Sequence, residues 1–497
     1  MLIVLAIPRV VRIFYPAIWI EDDFYAESAW LVGAGLRPYL DFVHPHFPLL
    51  EYFTASYLKV FGASHFSIEV LNEAAIYVTS LLTFKLAARV ATRRAAIGAA
   101  ILYATSALVF RYHVYERECF VAPLILVAAI FAVDENPRLL WIAIALVAAC
   151  LIKLTAIIEV GVIVAFVAIV QRRSRAAIAL AATVAITIVI ATALCYAIYG
   201  REFFFQTFIF HFMKGRSDFL SVLAYPLAIL DLQLPLFVVG CIAVGREVRS
   251  NRALILVLAM VGAEYLFYCI LSPTSWGHNY LEPLPFVAVV SGAGLHWLIQ
   301  QFEKFSLMPL AGYAAFVIIS LIWIAPLENE NWLRGSVYGF GFVPRDEVSR
   351  IATALREATR PDEAVLAPSF ICFEANRREL IRFPETYGVL REAETEYERD
   401  GFAQARARLG NEDFVRLIME TSHFWSGPIV ESIQNGNLNT IVFDSRIQLL
   451  PLVVPELTLP ADLPQVLVDN GFRPIAQTEH FELWRRVSQS NAPPAAP

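Results

Sequence analysis

The stretch WIEDDFYAESAWLVGAGLRPYLDFVHPHFP, residues 19–48, follows the first apolar segment of the chain. Three consecutive carboxylates stand at its start: Glu21, Asp22 and Asp23. Apolar residues recur at helical spacing over 24–36, and two glycines mark the end of that helix. The Pro- and aromatic-rich residues 37–48 favour an extended segment, and 49–61 are again amphipathic. We therefore expect a structured polar loop with short helices lying along a membrane surface.

The composition is that of a membrane protein. Of the 497 residues, 58% are hydrophobic and only 17% are charged, whereas soluble domains have about 45–50% apolar and about 25% charged residues. The net charge of −6 argues against nucleic acid as a partner. The six cysteines show no metal-ligand spacing and mostly lie in apolar runs, so we interpret them as small core residues.

Apolar runs of the length that a bilayer requires, about 20 residues, recur along residues 1–326. The sequence predicts an α-helical polytopic membrane protein with about eleven transmembrane helices. The candidate spans are 2–20, 66–88, 95–111, 118–134, 138–153, 154–171, 176–198, 219–244, 253–271, 281–299 and 307–326. The fifth and sixth form one long apolar stretch that is interrupted at Lys153, which predicts a tight hairpin.

The basic residues of the short loops predict the orientation. Lys and Arg concentrate in alternate loops, at 88–94, 135–138, 171–175, 245–252 and 300–305. Since cytoplasmic loops carry the excess of Lys and Arg, the N-terminus is expected in the cytoplasm. The first loop, 21–65, and everything after 326 then face outward.

The tail changes character after the last span. The sequence predicts an extracytoplasmic α/β domain over 327–490 and a disordered end over 491–497. A polar amphipathic helix is expected at 345–360. Short strands are expected at 363–368, 440–444 and 480–486.

The outward loops collect polar side chains that most spans lack. The candidate ligand-binding residues are Arg111, Glu116, Glu118, Lys153, His278 and Tyr280. Cations beside an apolar surface suit a lipid that carries a phosphate, because Lys and Arg bind phosphate oxygens by charge-assisted hydrogen bonds. A carboxylate at the same face could act as general base on an incoming hydroxyl.

Several of these residues have simpler interpretations. Lys153 could extend its amine to the membrane interface, although a charge between two spans is a functional candidate by default. Glu116 and Glu118 could pair with Arg111 and Arg117 as a surface ion network. The His44–His46 pair resembles a metal site, but such a pair in a loop is a weak signal.

Short motifs in the same order resemble the GT-C membrane glycosyltransferases. Within that class, the similarity is to bacterial relatives of the protein O-mannosyltransferases and the lipid A aminoarabinose transferases. The first loop has the family's acidic pair and then Tyr25. The family's Gly-x-Pro-Tyr-x-Asp run is matched in order by Gly35, Pro38, Tyr39 and Asp41, with one extra residue after the glycine. CLIKLTAI (150–157) resembles the family's Lys-containing break, and GHNYLEPLP (277–285) its His-x-Tyr-x-x-Pro stretch. The family pair is usually Asp–Glu, whereas this chain has Glu-Asp-Asp. Counting back from Tyr25 favours Glu21 as the base, and side-chain type favours Asp22.

The resemblance implies an inverting glycosyltransferase of the bacterial inner membrane. The donor would be a polyprenyl-phosphate monosaccharide, and the acceptor a hydroxyl of an envelope glycan, lipid or protein. No nucleotide-binding motif is present, and no cofactor is expected, although a divalent metal stays open. A transporter or flippase of a lipid-linked glycan is the alternative, because Glu69, Glu73, Glu159, Asp231 and Glu264 within the predicted spans could mark an ion path. A receptor or assembly scaffold is a third hypothesis.

Overall fold

The structure is a computed structural model. It describes residues 2–14, 17–18, 23–106, 109, 115–213, 233–245, 251–272, 277–303, 343–379, 399, 401, 403–404, 431–444 and 463–487. Three predicted features lie outside these residues: the span 307–326, residues 219–232 of the span 219–244, and the tail 491–497.

The chain folds mainly into helices. Those of the first half are α1 Leu2–Ile13, α2 Asp23–Gly33, α3 Leu49–Phe61, α4 His65–Val90, α5 Arg93–Ala104, α6 Arg117–Ala132, α7 Leu139–Ile152 and α8 Ile157–Ala165. The next are α9 Ser174–Tyr199, α10 Arg201–Phe204, α11 Phe210–Met213, α12 Gln233–Val244, α13 Arg252–Leu266 and α14 Leu284–Glu303. Single π-helical turns continue α8, α10 and α13, at Phe166–Val170, Phe205–Ile209 and Phe267–Leu271.

Three of the described helices are long and apolar enough to cross a membrane: His65–Val90, Ser174–Tyr199 and Arg252–Leu271. The helix α9 presents large apolar side chains outward along its whole length, among them Ile178, Val189 and Ile198. Such a continuous apolar surface suits lipid rather than water. The described helices match the positions of nine predicted spans. The first predicted span, 2–20, is shorter than expected, because α1 ends at Ile13 and a strand follows at Ala17–Ile18.

Close helix packing depends on small residues in α12 and α14. A Cβ at Gly240 would lie 2.1 Å from the carbonyl oxygen of Val290, and one at Gly292 would lie 2.6 Å from the carbonyl oxygen of Ala95. The backbones of α5, α12 and α14 thus approach so closely that only glycine fits. This is the usual basis of tight packing between apolar helices.

The first loop folds as a compact unit on the helices. The helix α2 ends at Gly33, and Gly35, with φ of +90°, reverses the chain so that the Leu36 N–H donates to the carbonyl of Leu31 at 3.0 Å. The two helices α2 and α3 pack on each other. The expectation of an extended segment is wrong for 37–42, where Asp41 accepts a hydrogen bond from the backbone N–H of Arg37 at 2.7 Å and closes a turn.

The tail contains short strands and helices. They are β2 Val343–Pro344, α15 Arg345–Ala358, β3 Ala364–Val365, α16 Ser369–Ala375, β4 Arg378–Glu379, β5 Thr440–Asp444, α17 Leu463–Asp469, β6 Phe472–Gln477 and β7 Phe481–Arg486. The strands β5, β7 and β6 form an antiparallel sheet in that order, and β3 pairs with β4 in parallel. The expected helix and three strands are confirmed, while the division of the chain into domains stays a prediction.

The described part of the tail contacts the rest of the chain through β2 and α16, among other segments. The strand Ala17–Ile18, β1, pairs with β2 in antiparallel orientation. The helix α16 packs against α2, and its Phe373 is fully buried in the main core. The backbone N–H of His65 also donates to Glu374 at 3.0 Å.

Candidate active site

A break between two apolar helices places Lys153 inside the protein. The helix α7 ends at Ile152, Lys153 takes an extended conformation, and a turn of 3-10 helix follows at Leu154–Ala156. Only 7% of Lys153 is exposed. Since an unpaired buried ammonium is very costly, such a group needs charged or polar partners.

Four side chains supply those partners. The Lys153 ammonium lies 2.5 Å from Glu118 and 3.0 Å from Glu282, and it donates to Tyr268 and Asn279, both at 3.2 Å. The Tyr268 hydroxyl donates in turn to Glu282 at 2.8 Å. The ammonium is therefore held by groups from three separate parts of the chain, and two carboxylates balance its charge.

The late loop brings two more of the predicted residues to this place. On the 3-10 turn Gly277–Leu281, His278 lies 3.8 Å from both Glu116 and Glu118. Tyr280 is buried, with its ring 5.8 Å from that of Tyr268. The structure thus brings together five of the six predicted ligand-binding residues. The sixth, Arg111, lies outside the described residues.

The acidic triplet is described only in part. Glu21 and Asp22 lie outside the described residues, and Asp23 is the first residue of α2, with no description of its side chain. Two residues further on, the Tyr25 ring lies 4.4 Å from the guanidinium of Arg117. Because Arg117 stands between Glu116 and Glu118, the first turn of α2 adjoins the Lys153 site.

Arg117 has a different partner from the one expected. It forms a fully buried ion pair with Glu51 of α3 and donates to the carbonyl of Ile152 at 3.3 Å. Since Glu118 is bound by Lys153, the surface-network interpretation is wrong for Arg117 and Glu118. Glu51 was not among the predicted functional residues, although an acid on an otherwise apolar face of α3 was the available signal.

The Glu51 carboxylate also contacts one of the two histidines of the first loop. The Nε2 atom of His44 lies 3.2 Å from Glu51, and the backbone N–H of His44 donates to Gln206 at 2.9 Å. Burial raises the pKa of Glu51, but the charges of Arg117 and His44 outweigh it, so that the pKa falls to about 2. The ion pair of Glu51 with Arg117 therefore stays ionised over the physiological pH range and fixes α3 to α6.

The other acids in the predicted spans have two kinds of environment. Glu73 is paired with Arg9 at 2.9 Å, and Glu69 is bound by Arg345 at the start of α15. Glu159 and Glu264, in contrast, lie beside Glu282, with one carboxylate oxygen of each of the three acids within 4.8 Å of the others. Glu159 and Glu264 thus border the Lys153 site, and Asp231 lies outside the described residues.

Comparisons with known proteins give structural matches only. No model of a protein family matches the sequence, and no curated protein does. ArnT from Cupriavidus metallidurans bound to undecaprenyl phosphate is similar over 99% of this chain and 98% of its own, with 14% identity and a TM-score of 0.65. The apo state of the same protein gives a TM-score of 0.68 at 14% identity, over 98% and 97% of the two chains.

A second group of similar structures is archaeal. The oligosaccharyltransferase AglB from Archaeoglobus fulgidus, in complex with an inhibitory peptide and a dolichol-phosphate, matches 99% of this chain and 75% of its own, with 13% identity and a TM-score of 0.52. The ligands of the two structures are both lipid phosphates, undecaprenyl phosphate in ArnT and dolichol-phosphate in AglB. The chain shares the fold of ArnT and AglB, as the resemblance of its sequence motifs to the GT-C glycosyltransferases implied.

Proposed function

We propose that this chain is an inverting membrane glycosyltransferase that moves a monosaccharide from a polyprenyl-phosphate donor to a hydroxyl group. The observation that carries the proposal is the buried Lys153, held at a break between two apolar helices beside Glu116, Glu118 and His278. A cation at the end of apolar helices has both the charge for a lipid phosphate and an apolar neighbourhood for its chain.

The structural comparison supports this donor class. ArnT, which shares the fold along nearly its whole length, binds undecaprenyl phosphate, and AglB binds dolichol-phosphate. In this chain Lys153, His278, Tyr280 and Arg111 would contact the phosphate or the sugar. Lys153 would then exchange one of its carboxylate partners, Glu118 or Glu282, for a phosphate oxygen.

The acid triplet supplies the base. One of Glu21, Asp22 and Asp23 takes the proton of the acceptor hydroxyl, whose oxygen attacks the anomeric carbon. The bond between that carbon and the phosphate oxygen breaks, and polyprenyl phosphate leaves with the electron pair. Lys153 and its neighbours stabilise the charge that develops there. Since general-base assistance is worth about 10²–10⁴-fold in rate, loss of the base should nearly abolish transfer.

The cellular setting follows from the loop charges. We place the protein in a bacterial inner membrane with the acid triplet and residues 327–490 on the outer side. The acceptor is an envelope glycan, lipid or protein. The alternative, a flippase of a lipid-linked glycan, has weaker support, because Glu69 and Glu73 are each paired with an arginine rather than aligned as an open ion path.

The test is mass spectrometry of envelope glycans from a deletion strain and from strains complemented at matched protein level. We expect the deletion to lose one defined sugar, the wild-type gene to restore it, and Asp22→Asn to fail. The exposed Asp362→Asn is the matched control and should restore the sugar. If Asp22→Asn restores the sugar, Glu21→Gln and Asp23→Asn are tested next. Restoration by all three variants, or a deletion with unchanged glycans, would refute the proposal.

A further inference from the structure

Three buried acids converge beside Lys153 from separate parts of the chain. Glu159 lies on α8, Glu264 on α13, and Glu282 just before α14, and all three are at most 1% exposed. One carboxylate oxygen of each lies within 4.8 Å of those of the other two. Oxygens on opposite sides of a bound Ca²⁺ are separated by up to about 5 Å, and those around Mg²⁺ by about 4 Å.

The surroundings leave these carboxylates short of hydrogen-bond donors. Glu282 is oriented by the Tyr268 hydroxyl and by Lys153. Within the described part of the chain, no other residue donates a hydrogen bond to the side chains of Glu159 or Glu264, and the two carboxyls contact only each other in this way. Because a buried carboxylate without a donor or a cation is very costly, this pair needs a proton or a bound cation.

Charge balance indicates which of the two it is. Ionised, the four buried carboxylates Glu118, Glu159, Glu264 and Glu282 face one ammonium, that of Lys153. A single proton removes one of the three excess negative charges, whereas a divalent cation removes two and also engages the bare oxygens. Carboxylate oxygens alone, without His or Cys, are the ligand type of Mg²⁺, Ca²⁺ and Mn²⁺.

We propose that Glu159, Glu264 and Glu282 bind one divalent cation of the oxygen-preferring class. The cation shares Glu282 with Lys153 and thereby withdraws negative charge from the ammonium. Lys153 is then less fully neutralised by its carboxylates and can engage an anion. This last consequence rests on the proposed function, whereas cation binding itself does not.

The experiment titrates Mn²⁺ into the full-length, chelator-treated protein in detergent micelles and counts bound ions by electron paramagnetic resonance. We expect one tightly bound Mn²⁺ per chain, displaced by excess Mg²⁺ or Ca²⁺. Glu159→Gln and Glu264→Gln should each weaken binding about tenfold or more, because each removes one charged ligand. The exposed Glu135→Gln, which removes the same charge elsewhere, should leave binding unchanged.

A second measurement guards against misfolded variants. Mn²⁺ should raise the thermal unfolding midpoint of the wild-type protein with increasing concentration, as any ligand of the folded state does, and this rise should be absent in Glu264→Gln. No Mn²⁺ binding to the wild type would overturn the proposal, as would equal affinity in wild type and Glu264→Gln. Infrared bands of protonated carboxyls that vanish in Glu159→Gln, without Mn²⁺ binding, would show that protons occupy the site instead. No sugar donor is present, so this result is separate from the test of glycosyl transfer.

Discussion

Replacing Arg117 by methionine should destabilise the protein strongly. The change removes the cation that pairs with the fully buried Glu51 and lies under the Tyr25 ring, while methionine keeps most of the side-chain volume. The Glu51 carboxylate would be left buried with His44 as its remaining described ionic partner. Breaking a buried ion pair by removing one partner typically costs about 3–5 kcal/mol.

The pKa of Glu51 gives a second estimate of this loss. A shift from the ordinary 4.5 to about 2 corresponds to about 3 kcal/mol of stabilisation of the ionised form. Because the folded-state pKa is the lower one, this contribution is present above about pH 4.5 and is lost as the pH falls toward about 2. Arg117→Met should therefore lower the free energy of unfolding by about 3–5 kcal/mol at pH 7 and flatten its dependence on pH below 4.5.

The assay is equilibrium unfolding by dodecyl sulfate in mixed micelles, followed by tryptophan fluorescence. Arg89→Met is the control, because Arg89 pairs with Asp134 at 2.6 Å in a partly exposed position, where an ion pair is worth about 0–1 kcal/mol. Adding Glu51→Gln to Arg117→Met should recover part of the loss, since no buried charge then lacks its partner. Equal costs for the Arg117 and Arg89 variants would refute the reasoning.

Three further predictions concern packing and charge elsewhere. Gly292→Ala should lower the free energy of unfolding by about 1–3 kcal/mol in the same assay, since its Cβ would overlap a backbone oxygen of α5. The control Gly161→Ala, with open space around it, should lower it by less than about 1 kcal/mol. Lys153→Met should lower the free energy of unfolding by about 3–5 kcal/mol and abolish sugar transfer in the strain assay. Adding Glu282→Gln should recover stability but should not restore sugar transfer. Phe373→Ala should cost about 3–5 kcal/mol and hasten cleavage of the tail in limited proteolysis, and unchanged cleavage would contradict the packing of α16 on the helices.

Local patterns predicted much of the fold. Helical spacing and a glycine stop placed α2 within three residues of its observed bounds, and the polar amphipathic pattern placed α15 within two. The break at Lys153 was also predictable, because a charge inside a long apolar run demands a local change of structure. These features depend on residues that are close in sequence. The spacing of apolar residues and the local composition therefore reveal them directly.

Partners distant in sequence were not predictable. Nothing in α3 or α6 alone indicates that Glu51 binds Arg117, because 66 residues separate them and each has other charges nearer in sequence. The meeting of Glu159, Glu264 and Glu282 depends in the same way on how three segments pack. The early end of α1 at Ile13 was missed because the strand β1 is set by pairing with β2, a contact that hydropathy does not report.

The pairing of β1 with β2 has a consequence for how the protein is made. The strand β1, which precedes the acid triplet, pairs with a strand that the ribosome adds about 325 residues later, because Ile18 pairs with Val343. At about 5–20 residues per second, translation takes about 15–65 s to cover that distance. During this time the nascent chain already has its first membrane helices, but its outward loop is not yet closed by the tail. A truncated translation product would therefore insert into the bilayer with this loop unclosed.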